Sequence, residues 1–291
     1  MIRSIRLTLL FLATLGATTL SAQAEESRRI ISIGGAATEI VFALGAGDEV
    51  VAVDLSSTYP AEVHRLPKVG YIRQISPEGV LSMKPDLVVT TESMGPPAAK
   101  EAMKQVSIPV VWCPEPESPE ALYEGIAMVG TALNQEDAAQ ALISEIQIEL
   151  TAVATQTATW PEKPKVLFFM QPPSLSRAGT AAGDKTRADE LIKLAGGQNA
   201  LVGVTRYQPI TAESILAAQP DVILLGSAPG HGASDSSVDY LMQLPALQSV
   251  PAVKNSRVLI VPMDDLAFGP RLGEAAAGWS EIFAETLPAS K

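Results

Sequence analysis

Apolar residues along this 291-residue chain fall into two rhythms. The short β-branched runs Ile30–Ile33, Val50–Val53, Val88–Thr90 and Val110–Trp112 read as buried strands. Helical spacing separates them over Thr38–Leu44 and near Pro97–Gln105. The alternation resumes later, with strands at Val166–Met170, Val222–Leu225 and Val258–Val261, and helices near Arg187–Leu194, near Val238–Leu241 and over Gly273–Glu285. Strands alternating with helices predict an α/β fold built on mostly parallel sheets flanked by helices.

A repeat divides this pattern. Residues 75–89, beginning Ile75-Ser76-Pro77-Glu78, align with residues 210–224, beginning Ile210-Thr211-Ala212-Glu213, at an offset of 135. Each copy predicts a short helix capped by Ser76 or Thr211, then a Pro-Asp turn, then a buried strand. Two similar lobes follow. Residues 134–160 hold neither Pro nor Gly and carry Ala138, Leu142, Ile146, Leu150 and Val153 at helical period. They predict one long connecting helix, about 40 Å at about 1.5 Å per residue, stiffer than a loop hinge. The expected organisation is therefore an N-terminal lobe over 25–133, this helix over 134–160 and a C-terminal lobe over 161–291. Ligand belongs in the crevice between the lobes, with limited closure.

The first 24 residues change the picture of compartment. Arg3 and Arg6, an apolar run from Leu7 to Leu20 and Ala22-Gln23-Ala24 form a basic, a hydrophobic and an A-x-A region, read as a secretory signal cut after Ala24. The run is shorter than the roughly 20 residues of a membrane helix, and the segment predicts export to the periplasm. Cleavage takes the formal charge from −11 to −13, which disfavours nucleic acid as a partner. Cys113 is the only cysteine, so no internal disulfide forms, and its setting Val110-Val111-Trp112-Cys113 reads as a buried strand end. No G-x-S-x-G, P-loop or H-E-x-x-H motif is present, and the protein is expected to be a binder, not an enzyme.

The candidate chemistry centres on Lys68-Val69-Gly70-Tyr71-Ile72-Arg73. A phenol beside a guanidinium is favoured as phenolate, a hard anionic ligand for ferric haem iron. Two histidines, His64 and His231, are too few for a nitrogen-rich zinc or manganese site.

Together with Arg29-Ile30-Ile31-Ser32-Ile33-Gly34-Gly35, Thr38-Glu39-Ile40, Ala178-Gly179-Thr180, Leu194-Ala195-Gly196-Gly197 and Phe268-Gly269-Pro270-Arg271, these residues resemble the haem branch of the class III periplasmic binding proteins. That superfamily also carries cobalamin and ferric siderophores, which stay open as alternative ligands. The resemblance implies ferric haem b as the transported ligand, with Tyr71 as axial ligand. It implies Arg73, Arg271 and Tyr207 as support for the phenolate or the haem propionates. Gln171-Pro172-Pro173 stands where some relatives carry a second axial histidine, leaving His231 as a possible substitute. The resemblance further implies a monomer that delivers haem to an inner-membrane ABC permease and, through it, its ATPase. Docking would use one exposed glutamate per lobe, at Glu39 and Glu213, each in a first helical turn where the helix dipole favours a carboxylate.

Overall fold

The structure is a computed structural model that describes residues 28–287 except 176, 229 and 230, so the expected signal segment lies outside the described residues. Its first half runs β1 (Ile30–Ile33), α1 (Gly35–Ala43), β2 (Val50–Val53), β3 (Gly70–Tyr71), β4 (Gln74–Ile75), α2 (Pro77–Ser82), β5 (Leu87–Thr91), α3 (Pro97–Lys104), β6 (Val110–Cys113), α4 (Pro119–Leu133) and α5 (Glu136–Thr157). The second half runs β7 (Lys165–Gln171), β8 (Gly179–Ala182), α6 (Arg187–Leu194), β9 (Gln198–Asn199), β10 (Tyr207–Ile210), α7 (Ala212–Ala218), β11 (Val222–Ala228), β12 (His231–Gly232), α8 (Asp235–Gln243), α9 (Pro251–Lys254), β13 (Val258–Pro262) and α10 (Leu272–Ala284).

Two sheets carry the α/β fold. The first is parallel throughout, in the order β2-β1-β5-β6. Its strands are apolar on both faces because helices cover both, as parallel sheets require. The second is mixed: β7, β11 and β13 run parallel, while β8, β10 and β12 add antiparallel pairings. β3 and β4 form a separate two-residue hairpin.

The repeat survives as geometry. Ser76 accepts from the Gly79 N–H at 3.2 Å and Thr211 from the Ser214 N–H at 3.3 Å, so each copy opens on the same side-chain cap. Each then leads through Pro-Asp into a central strand, β5 or β11.

The segment 134–160 is helical over 136–157, about 33 Å at about 1.5 Å per residue, because Asn134 adopts left-handed geometry (φ 57°) and separates α4 from α5. Its buried stripe is Ala139, Ile143, Ile146 and Val153, and α5 packs against α4 on one side and α10 on the other. A continuous apolar cluster joins Ile40, Val41 and Ile126 of the first half to Phe168, Trp279 and Phe283 of the second. Phe168 and Trp279 stack at 5.8 Å. Cys113 is 2% exposed within this cluster, and burial pushes its thiol up to about 12.

Candidate functional site

The parallel strands of both sheets point their C-terminal ends at one cleft of about 610 Å³. The loops leaving β1, β2, β5 and β6 line one wall, and those leaving β7, β8, β11 and β13 line the other. This is the position where open α/β sheets bind ligands, and the volume suits a small molecule.

Tyr71 sits at this cleft, 44% exposed, on the last residue of β3. Its placement follows from a buried carboxylate. Asp54 Oδ1 accepts from the Gly34 N–H (2.8 Å) and the Ser57 hydroxyl (2.7 Å). Its Oδ2 accepts from the Ser56 N–H (2.9 Å), the Ser56 hydroxyl (2.6 Å) and the Ile72 N–H (3.2 Å). Five donors thus tie the end of β1, the loop after β2 and the β3–β4 hairpin to one fully buried side chain. Ser57, Thr38 and Ser32 continue the chain inward at 2.7 and 2.8 Å. Ile72, buried beneath the turn, touches the site where a Gly34 Cβ would stand 3.0 Å away, and Gly34 has φ 103°, so only glycine suits this corner. The hairpin therefore buries Ile72 and leaves Tyr71 and Arg73 facing the cleft.

The opposite wall is cationic. Lys185 and Arg206 both adopt left-handed backbone geometry, with φ 56° and 62°, which is uncommon for residues with a side chain. Backbone bonds hold them side by side: Arg206 N–H donates to the Asp184 carbonyl (2.8 Å) and Gly183 N–H to the Arg206 carbonyl (2.9 Å). Gly183 makes this possible, since a Cβ there would stand 2.0 Å from the Val204 carbonyl oxygen. Arg73, Lys185 and Arg206 enter no salt bridge among the described residues. Arg187, between them and the first lobe, pairs with Glu115.

Tyr207 also lines the cleft. Burial raises its phenol pKa, and Arg187, the Ala188 backbone and the Thr186 hydroxyl partly offset that. It therefore stands as a neutral phenol near neutral pH. His231 pairs through its backbone with Ala228 at the cleft edge, and the expectation of an axial imidazole from its side chain lies outside the described part of the structure. His64 is exposed in a short turn after Pro60, away from the cleft lining.

Two residues stand differently from the expectation. Arg271 is engaged by Glu39, which lines this cleft: Nε and Nη2 donate to the Glu39 carboxylate at 3.1 and 2.9 Å, and the guanidinium lies 3.9 Å over the Tyr59 ring. Glu39 is 5% exposed, because α1 is buried continuously from Ala36 to Val41 and only the tip of the carboxylate reaches the cleft lining. Burial raises the Glu39 pKa, and Arg271 opposes that rise. An exposed docking glutamate is not at this position. The repeat supplies another: Glu78 occupies the second residue of α2 as Glu213 occupies the second residue of α7, and both are exposed. The same alignment that revealed the lobes carried this signal. Lys185 and Arg187, also absent from the sequence reading, had no motif to mark them.

Comparison with known proteins agrees with this architecture. An uncharacterized ABC transporter substrate-binding lipoprotein of Bacillus subtilis is 31% identical over 269 residues, covering 90% of this chain and 82% of its own. A vitamin B12-binding protein of Vibrio parahaemolyticus is 28% identical, covering 77% and 80%. The apo structure of the periplasmic heme-binding protein RhuT from Roseiflexus sp. RS-1 superposes with a TM-score of 0.80 at 34% identity, covering 89% of this chain and 99% of that one. With the match to the periplasmic binding protein family running over residues 30–264, the chain belongs to that family.

Proposed function

We propose that the protein captures ferric haem in the interlobe cleft outside the cytoplasm and delivers it to an ABC permease, making and breaking no bond within the ligand. The observation that carries this reading is Tyr71, a 44% exposed phenol set on a rigid hairpin beside Arg73 in the cleft. Phenolate is a fitting ferric-haem ligand. Arg73, Lys185 and Arg206, which enter no salt bridge among the described residues of a chain of formal charge −11, suit the two carboxylates of haem. Leu55, 59% exposed at the cleft, and Met263 offer apolar contact to the porphyrin faces. Docking on the permease is assigned to Glu78 and Glu213, the two exposed carboxylates that the repeat makes equivalent.

A hemin titration of residues 25–291 followed by absorbance, beside Tyr71→Phe, tests the reading. Saturation with a phenolate-to-iron charge-transfer band that the variant loses is expected. The second reading is cobalamin, favoured by the vitamin B12-binding relatives at 28% identity. Saturable cyanocobalamin binding without hemin binding would replace haem by that ligand.

A further inference from the structure

The ion pair between Glu115 and Arg187 crosses the cleft. Glu115 stands between β6 and α4 in the first half of the chain, and Arg187 opens α6 in the second. Arg187 Nη2 donates to Glu115 Oε1, while Nη1 reaches the Leu266 and Ala267 carbonyls at 3.3 and 3.4 Å. The guanidinium is thus held in place by backbone oxygens of its own lobe, whatever occupies Nη2. Glu115 is less well satisfied. Its Oε2 is buried and accepts no hydrogen bond among the described residues, an arrangement costly enough to need an explanation.

We infer that Glu115 is an internal stand-in for a ligand carboxylate, which Arg187 exchanges for the carboxylate of the incoming molecule. This rests on the haem reading. A carboxylate that leaves one oxygen orphaned is a weaker partner than one that reaches both Arg187 and its neighbours, and Lys185 and Arg206, in no salt bridge among the described residues, line the same cleft. One haem propionate takes Nη2 of Arg187, and the other faces Lys185 and Arg206. Released, Glu115 swings its whole carboxylate toward water, which satisfies the orphan oxygen. The pair is an interlobe contact as well, so the exchange couples ligand entry to loosening of one bridge across the cleft. It also makes the ligand's own carboxylates, not its macrocycle, the feature that opens this contact.

Absorbance titrations with hemin and with hemin dimethyl ester, in the same co-solvent, test the exchange on wild type, Glu115→Gln, Arg187→Gln and the double variant. Glu115→Gln should tighten hemin about fivefold by removing the internal competitor. It should leave the diester unchanged. Arg187→Gln should weaken hemin about tenfold without weakening the diester. In the Arg187→Gln background, Glu115→Gln should have no further effect. An equal response to both probes, or none, in Glu115→Gln would overturn the exchange and leave a plain interlobe contact. Thermal melts establish that each variant is folded. Should Glu115→Gln fail to fold, Arg187→Gln decides alone, since equal losses for hemin and diester would remove Arg187 as a carboxylate anchor. A wild-type protein that takes up neither probe would overturn the haem reading itself and the exchange with it.

Discussion

Asp54→Asn is the substitution through which the hairpin geometry is most directly tested. The asparagine is isosteric, but one of its two positions becomes an N–H₂ facing groups that already donate. If the amide nitrogen replaces Oδ2, it strands the Ser56 and Ile72 N–H groups. If it replaces Oδ1, it strands the Gly34 N–H alone, because the Ser57 hydroxyl can turn to accept. The second orientation is the cheaper one. A stranded buried N–H costs about 1–3 kcal/mol, and the remaining bonds lose their charge assistance, for a total of about 2–4 kcal/mol. In a chain of this size that lowers the melting temperature by about 5–10 °C. Since the Ile72 N–H keeps its acceptor, Tyr71 keeps its place, and the charge-transfer band of bound hemin should persist. Circular dichroism melts and a hemin spectrum measure both. A melting temperature within about 1 °C of wild type would show that the five donors find other partners, and the account of how Tyr71 is positioned would fall.

Arg271→Gln leaves Glu39 as an uncompensated buried carboxylate and should cost about 3 kcal/mol at pH 7, toward the low end for such pairs because Arg271 is 29% exposed. Glu39 already has its pKa raised by burial, and losing Arg271 removes the groups that lower it. The folded variant then binds a proton more tightly than the unfolded chain does. Its deficit should shrink as pH falls through the raised folded-state pKa, and urea melts at pH 7 and pH 5 that show equal deficits would contradict this. Gly183→Ala drives a Cβ into the Val204 carbonyl, so a loss of about 3 kcal/mol together with weaker hemin binding is expected, read by melting and titration. Glu78→Arg and Glu213→Arg should each leave hemin affinity unchanged while abolishing stimulation of the permease's ATPase in proteoliposomes; unchanged stimulation would remove them from the docking surface.

The strands were legible because they are β-branched runs long enough to be buried on both faces, and the repeated helices because Ser76 and Thr211 are good caps. Other elements carried weak local signals. β8 is Gly179-Thr180-Ala181-Ala182, and β10 contains Pro209, so neither reads as a strand by itself, and pairing with β7 and with each other makes them strands. α4 holds Gly125 and Gly130, which dilute the helical signal, although Gly130 is needed for close approach to α5, where a Cβ would stand 2.5 Å from the Ala139 Cβ. In the site, Tyr71 and Arg73 were readable because they lie two residues apart. The Arg271–Glu39 pair had no local signal, because the two residues lie 232 positions apart. The cationic wall was hidden for another reason: nothing in a sequence marks Lys185 or Arg206 as left-handed, and tertiary bonds between residues 183–184 and 204–206 impose it.

The burial of Cys113 has a practical consequence. With its thiol pushed up to about 12 and 2% exposed, it is nearly all protonated and out of reach of maleimides at neutral pH. The wild-type chain is therefore a blank background for site-directed labelling. A cysteine introduced at an exposed surface position would be the one reactive thiol, without first removing a residue from the core. With two such cysteines, one on α2 and one on α7, a donor and an acceptor dye would report lobe separation during hemin uptake, one molecule at a time.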